Sequence, residues 1–291
     1  MISNEFGNEY SNLAMVFDLD GTLVDSIGDI IGAANRLLAE EGRAPLSRDE
    51  GRDMVGEGAA SLVERAFAAT GPKPTPKTLT GLVERYHAIY ERHPLDETIV
   101  FPGVVETLSA LSDNGAILGL CTNKPHDISL VVLAELDLAR YFSAALDGDA
   151  LQVRKPDPAH FAAVIEAMCA RSRRAIHVGD SPTDVAVARN AGVPVVLVSY
   201  GYSRVPPTDL GADALIDEFT ALPSAIMQHQ GGSLQVVAAL AFGPDGLYFA
   251  PLFPDQAGDT AVIKISYSPE AAYPYQIQGD LNPINLMHSK G

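Results

Sequence analysis

The sequence predicts an α/β protein: a parallel sheet covered by helices on both faces, interrupted after its first strand by an all-helical insert and followed by a short β-like extension. Three observations carry this. From Pro102 onward helical and strand patterns alternate; between residues 26 and 95 every apolar stripe has helical spacing; after Gly231-Gly232 the composition shifts to β-like runs broken by turn residues.

The elements follow in order. Leu13-Ala14-Met15-Val16-Phe17 is an unbroken apolar run of strand length, the pattern of a strand buried on both faces. Asp25 or Ser26 can cap the next helix, whose apolar positions Ile27, Ile30, Ile31, Ala34, Leu37 and Leu38 recur at helical spacing, with Gly42 just past the end. Ser47-Arg48-Asp49-Glu50 reads as a capping box. Leu62, Val63, Ala66 and Phe67 form a third stripe, and Leu82, Val83, Tyr86, Ile89 and Tyr90 a fourth, divided by the proline-rich 72–76 and closed by Pro94. The alternation then runs helix Val104 to Leu111, strand Ile117 to Cys121, helix Ile128 to Leu138 and strand Phe142 to Leu146. It continues with helix Pro158 to Cys169, strand Ala175 to Val178, helix Thr183 to Ala191 and strand Val193 to Val198. Such alternation demands right-handed crossovers and a parallel sheet. The expected organisation is a Rossmann-like core from residues 1–25 and 96–230, a helical cap over 26–95, and a β-like appendage over 231–291.

Bulk properties narrow the function. A chain of 291 residues buries enough surface to form a core without disulfides. A formal charge of −17 argues against a nucleic-acid backbone or an anionic membrane as main partner, since both would repel this surface. Only Cys121 and Cys169 are present, no apolar run approaches a membrane span, and Met1 to Asn12 lacks a secretory pattern, so a reducing, cytoplasmic setting is expected.

The chemistry-bearing residues fall where the expected strands end. Asp18 and Asp20 follow the first strand, and at i and i+2 of an extended chain both carboxylates face one metal ion and one phosphate, with Gly21 permitting a sharp turn. Thr122 and Asn123 follow Gly119-Leu120-Cys121; Lys155 lies in Arg154-Lys155-Pro156-Asp157; Asp180 and Asp184 follow Ile176-His177-Val178-Gly179. In open parallel sheets ligands bind beyond these carboxyl ends. Taken alone, Thr122-Asn123 reads as a helix cap before Pro125, and the alternative for Asp184 is a first-turn aspartate favoured by the helix dipole.

Asp18-Leu19-Asp20-Gly21-Thr22-Leu23-Val24-Asp25-Ser26, together with the later clusters, resembles the haloacid dehalogenase superfamily in its phosphatase branch. That resemblance implies that Asp18 attacks phosphorus and that Asp20 protonates the leaving oxygen and later activates water. Thr122, Asn123 and Lys155 would bind phosphoryl oxygens, with Thr22 orienting. It also implies Mg²⁺ held by Asp18, Asp20 through its backbone carbonyl, and Asp180, with Asp184 orienting Lys155 or a metal-bound water. Arg52-Asp53-Met54-Val55-Gly56-Glu57-Gly58, Thr122-Asn123-Lys124-Pro125 and Ser199-Tyr200-Gly201-Tyr202 extend the likeness over about residues 13–229 toward the phosphoglycolate phosphatases. Arg52 and the Gly56 backbone would then meet a small carboxylate. The implied partner is a small phosphorylated metabolite and the assembly a monomer or homodimer. A pyrophosphatase, a sugar-phosphate phosphatase and a phosphomutase of the same superfamily stay open.

The appendage departs from that family. Runs at Ser233 to Phe242, Leu247 to Phe253 and Thr260 to Tyr267 are β-like, and seven of the chain's 20 aromatic residues fall in 231–291, which argues against a plain solvated linker. Ala241 to Tyr248 resembles a strand-turn-strand piece of a β-propeller blade, which cannot bury its own faces alone. A second function class follows: a partner-binding module acting through this tail.

Overall fold

The computed structural model describes residues 10–171 and 173–231, and within the tail the strands at 238–243, 246–251, 264–267 and 275–277. The core is one six-stranded sheet, all parallel. Its strands are β1 (Leu13–Phe17), β4 (Ile117–Cys121), β5 (Ala144–Leu146), β6 (Arg174–Gly179), β7 (Val195–Val198) and β8 (Ala214–Ile216), in the order β5-β4-β1-β6-β7-β8. Helices α5 (Val104–Asp113), α6 (His126–Glu135), α7 (Pro158–Ala167), α8 (Pro182–Ala191) and α9 (Leu222–Gly231) connect and cover them.

Strand β1 lies at the centre and alternates between two apolar clusters. Leu13, Met15 and Phe17 join one, where the Phe17 ring meets Phe142 and Phe219 at 6.3 and 6.0 Å between centroids; Ala14 and Val16 join the other with Phe161, Val187 and Val195. Both faces of β1 are therefore dry, which is why its sequence shows no polar alternation.

Between β2 (Val24–Asp25) and β3 (Ile99–Val100) the chain makes four helices: α1 (Ile27–Glu40), α2 (Arg48–Arg52), α3 (Ala59–Thr70) and α4 (Pro76–Tyr90). The expected capping box closes at α2: the Ser47 side chain accepts from Glu50 N, and the Glu50 carboxylate accepts from Ser47 N at 2.8 Å. Strands β2 and β3 pair antiparallel, so both covalent crossings to the insert lie side by side. The buried Asp29 carboxylate fastens the return crossing, accepting from Thr98 N at 2.8 Å, Thr98 Oγ1 at 2.6 Å and Glu97 N at 3.0 Å.

Several expected boundaries move. Helix α6 begins at His126 and stops at Glu135, because Asp137 turns to φ 55°; α7 stops at Ala167 ahead of Cys169 at φ 52°. Strand β5 starts only at Ala144, after a 3₁₀ turn at Ala139–Tyr141, and β7 starts at Val195, after a Pro194 that offers a carbonyl to His177 N but has no N–H. The β2–β3 pair, β8 and α9 have no counterpart in the sequence reading. Two residues per strand are too few for a period, and Ala214-Leu215-Ile216 is too short to stand out from its loop.

The tail holds β9 (Ala238–Gly243), β10 (Gly246–Pro251), β11 (Lys264–Tyr267) and β12 (Tyr275–Ile277), an antiparallel meander in the order β12-β11-β10-β9. The sequence reading anticipated three runs and missed the fourth strand; of those runs and the turn residues between them, 233–237, 244–245, 252–253 and 260–263 lie outside the described residues. Among the described residues no helix is long and apolar enough to cross a membrane.

Candidate active site

Register brings the candidate residues together. Phe17 pairs with Leu120 on one side and Val178 on the other, so β4, β1 and β6 end level, and Asp18, Thr122 and Asp180 emerge at one rim. The loop after β5 adds Lys155. Its buried ammonium lies 2.8 Å from Asp18 Oδ1 and 2.8 Å from Asp184 Oδ1.

Asp184 is held on every side. Its Oδ1 also meets His177 Nε2 at 2.9 Å, while Oδ2 accepts from Ser181 Oγ at 2.6 Å, Ser181 N at 3.1 Å and Asp180 N at 3.2 Å, closing the capping box of α8. Burial works to raise its pKa, but Lys155 and His177 outweigh it and hold the carboxyl far below the ordinary range. With both oxygens engaged, Asp184 is built to position Lys155 and the Asp180 loop. Asp184 also stands in the first turn of α8, where the sequence reading sets a dipole-favoured aspartate beside the orienting role.

Asp180 differs. Among the described residues its carboxylate has a single hydrogen-bond donor, Tyr202 N at 2.6 Å. Two glycines let the chain close around it: a Cβ on Gly21, at φ +81°, would lie 2.4 Å from Asp180 Oδ2, and one on Gly201 would lie 2.2 Å from Asp180 Cβ. Oxygens of Asp18, Asp180 and Asp184 lie within 4.8 Å of one another. Burial, then the charges of Asp184 and Asp18, raises Asp180 well above the carboxylate range, and burial pushes Asp18 up to about 6 against the pull of Lys155. Crowded, desolvated carboxylates with hard oxygen donors and no thiolate or imidazole ligand fit a divalent cation of the Mg²⁺ class. Asp18 and Asp180 have the side-chain oxygens to hold it.

The Asp20 side chain is not one of the three clustered carboxylates, and its backbone carbonyl is the ligand the resemblance implies. Its Oδ1 accepts from Lys124 Nζ at 2.8 Å and Ser26 Oγ at 2.6 Å. Lys124 is itself buried, donates to Tyr90 OH at 2.6 Å, and sits over the Tyr90 ring at 4.7 Å. Burial and then the Asp20 charge raise the Tyr90 phenol well above its ordinary pKa, so it remains a neutral hydroxyl. Tyr202 ties β2 into the same assembly: its hydroxyl meets Ser26 N at 2.7 Å and Asp25 Oδ1 at 2.8 Å.

A cavity of about 50 Å³ opens between core and insert. Asp18, Asp20, Thr122, Asn123, Lys124 and Pro125 line the core side; Ile30, Val55, Gly56, Leu62, Tyr86 and Tyr90 are on the insert side. Thr122 Oγ1 accepts from Lys124 N at 3.2 Å. The Asn123 amide is turned sideways, donating to Gly56 O at 3.2 Å and Lys155 O at 3.0 Å, so it fastens the insert to the lysine loop. Arg204 on the core reaches Glu57 on the insert at 2.9 Å. Arg52, anticipated as a carboxylate anchor, does not line the cavity; its guanidinium lies over the Tyr202 ring at 5.7 Å. The Thr22 hydroxyl is buried without a hydrogen-bond partner among the described residues.

Sequence reading missed Lys124, Tyr90, Ser26, Tyr202 and His177 as parts of the site. Lys124 follows the singled-out Thr122-Asn123 directly, and Tyr90 shares a stripe with Tyr86, so a signal existed for both. His177, in mid-strand, gave none.

The chain is similar to known proteins over most of its length. Residues 15–198 match the family model described as haloacid dehalogenase-like hydrolase. A phosphoglycolate phosphatase of Caulobacter vibrioides is 44% identical over 218 residues, covering 75% of this chain and 92% of its own length. One from Rhodospirillum rubrum is 44% identical over 237 residues, covering 79% and 98%. The crystal structure of a predicted phosphoglycolate phosphatase from Haemophilus somnus superposes with a TM-score of 0.68 at 29% identity, covering 73% of this chain and 97% of that one. The family match over residues 15–198 and the relatives at 44% identity, beside a carboxylate rim at the strand ends of a parallel sheet, lead to one conclusion: this chain belongs to the haloacid dehalogenase-like hydrolases.

Proposed function

We propose that the protein is a Mg²⁺-dependent phosphomonoester hydrolase whose substrate is 2-phosphoglycolate. The observation that carries the reading is the buried Asp18–Lys155–Asp184 line beside Asp180, opening onto a cavity of about 50 Å³. The 44% identity to two phosphoglycolate phosphatases supports the same substrate.

In this mechanism an Asp18 carboxylate oxygen attacks phosphorus in line, forming an aspartyl phosphate as the ester oxygen leaves with a proton from Asp20. Asp20 then takes a proton from the water that hydrolyses the acyl phosphate, regenerating Asp18 and releasing phosphate. Lys155 fixes the nucleophile and offsets charge on the phosphoryl oxygens, and Thr122 offers them a hydroxyl. Bound by Asp18, Asp180 and the Asp20 carbonyl, Mg²⁺ would supply the positive charge that lets an anionic nucleophile approach an anionic phosphate. The two cysteines are unbridged, which suits the reducing cytoplasm proposed for this enzyme.

The test is a phosphate-release screen with Mg²⁺ across 2-phosphoglycolate, pyrophosphate and sugar phosphates, with and without chelator. Chelator-sensitive turnover that favours phosphoglycolate and disappears in Asp18→Asn supports the reading. A preference for sugar phosphates removes the substrate assignment but not the mechanism.

A further inference from the structure

We infer that Lys124 is the specificity-determining residue of the cavity, binding the carboxylate of the substrate through its ammonium; the inference rests on the phosphoglycolate reading above. A substrate with an anionic group at each end needs positive charge at two places. Lys155 and the cation site serve the phosphoryl end. At the other end the insert contributes the apolar and aromatic side chains of Ile30, Val55, Leu62, Tyr86 and Tyr90, and Lys124 is the only cationic side chain among the described residues that line the cavity.

Its position suits the task. A lysine ammonium has three N–H donors. Among the described residues two are taken, by Asp20 Oδ1 at 2.8 Å and Tyr90 OH at 2.6 Å, and the third has no acceptor. The stem is buried, so the ammonium is fixed before substrate arrives and little entropy is lost on binding. In the substrate complex Asp20 carries the proton it later gives to the ester oxygen, so the ammonium 2.8 Å from it is left one charge to compensate. It therefore selects a carboxylate over a second phosphate, whose additional charge finds no partner on the insert wall. The substrate class is the phosphate monoesters of short hydroxy-carboxylic acids. Arg52, the alternative anchor, lies over Tyr202 and does not line the cavity.

The experiment compares kcat/KM, with Mg²⁺, for 2-phosphoglycolate and for 2-hydroxyethyl phosphate, which lacks the carboxylate. In the wild type, loss of one charge-assisted hydrogen bond should separate the two by about 10- to 100-fold. Lys124→Met should bring the ratio close to unity, chiefly by raising KM for phosphoglycolate. Because a ratio is read, a general loss of activity cancels. A ratio kept in Lys124→Met, including equal losses on both substrates, overturns the inference and assigns Lys124 to Asp20 alone. Loss of preference in Arg52→Met with preference kept in Lys124→Met also overturns it, in favour of Arg52. If the wild type itself shows no preference for phosphoglycolate, the substrate reading has failed instead. For a variant too slow to assay, thermal shifts with phosphonoacetate and ethylphosphonate carry the same comparison: unequal in the wild type, equal in the variant. Lys124→Gln, which keeps a polar group against Asp20, replaces the methionine variant if that one does not fold.

Discussion

Lys155 and Asp184, 29 positions apart in sequence, meet at 2.8 Å with both side chains buried, and the opposite oxygen of the same aspartate caps helix α8. One carboxylate thus fixes both the proposed phosphate-binding cation and the loop that carries Asp180. Removing one member of a buried pair leaves the other charge uncompensated. We expect Asp184→Ala to lower stability by about 3–5 kcal/mol in urea titration. Turnover in the phosphate-release assay should fall by on the order of 10²–10³. Asp184→Asn, which can still accept at the cap, should lose less of both.

His160 makes stability sensitive to acid. Burial and the nearby Lys155 charge push its imidazole down to about 3 from an ordinary 6.5. Between those values the unfolded chain takes up a proton that the folded chain refuses, so stability falls as pH drops from 6.5 toward 3, by up to about 5 kcal/mol from this group. His160→Met should flatten that slope in denaturant titrations at a series of pH values. An unchanged pH dependence would show that the imidazole is protonated when folded.

The base of the insert depends on Asp29, which accepts from three groups of Glu97 and Thr98. Asp29→Ala leaves buried donors without an acceptor and should cost about 2–3 kcal/mol. Since those donors belong to the return crossing, KM should rise as well. Steady-state kinetics beside thermal denaturation reads both effects.

The two thiols should behave differently. Burial pushes Cys121 up to about 12, whereas Cys169 is exposed. An aromatic disulfide reagent should titrate one thiol in the native protein and the second only after unfolding. Fast reaction of both would show that the β4 end opens readily.

The tail, 232–291, lies beyond the family match that ends at 198. Truncation after Gly231 should leave kcat/KM and oligomeric state unchanged. Altered values would favour the partner-binding role considered for this segment.

How much of this was legible in the sequence differs from element to element. Strand β1 was readable because its two dry faces demand an unbroken apolar run, and the rim residues because each directly follows such a run. Both readings use neighbours in sequence. Lys124 and Tyr90, by contrast, acquire their meaning only when α4 comes down on the loop after β4, a contact between positions 34 apart. Arg52 is a different case: its charge suggested an anion, and the fold sets its guanidinium over Tyr202, a contact that no spacing in the sequence announces. His177 is the hardest case. It reads as one polar residue inside a strand, and only the 2.9 Å approach of Asp184 gives it a task.

The pairing of Val24 with Val100 and Asp25 with Ile99 has a mechanical corollary. Two tethers spaced apart would hold an insert from two sides, whereas these two leave and re-enter the core at one edge. The same insert supplies Val55, Gly56 and Tyr90 to the cavity wall. A change of length in either strand would break its register with the other and displace that wall.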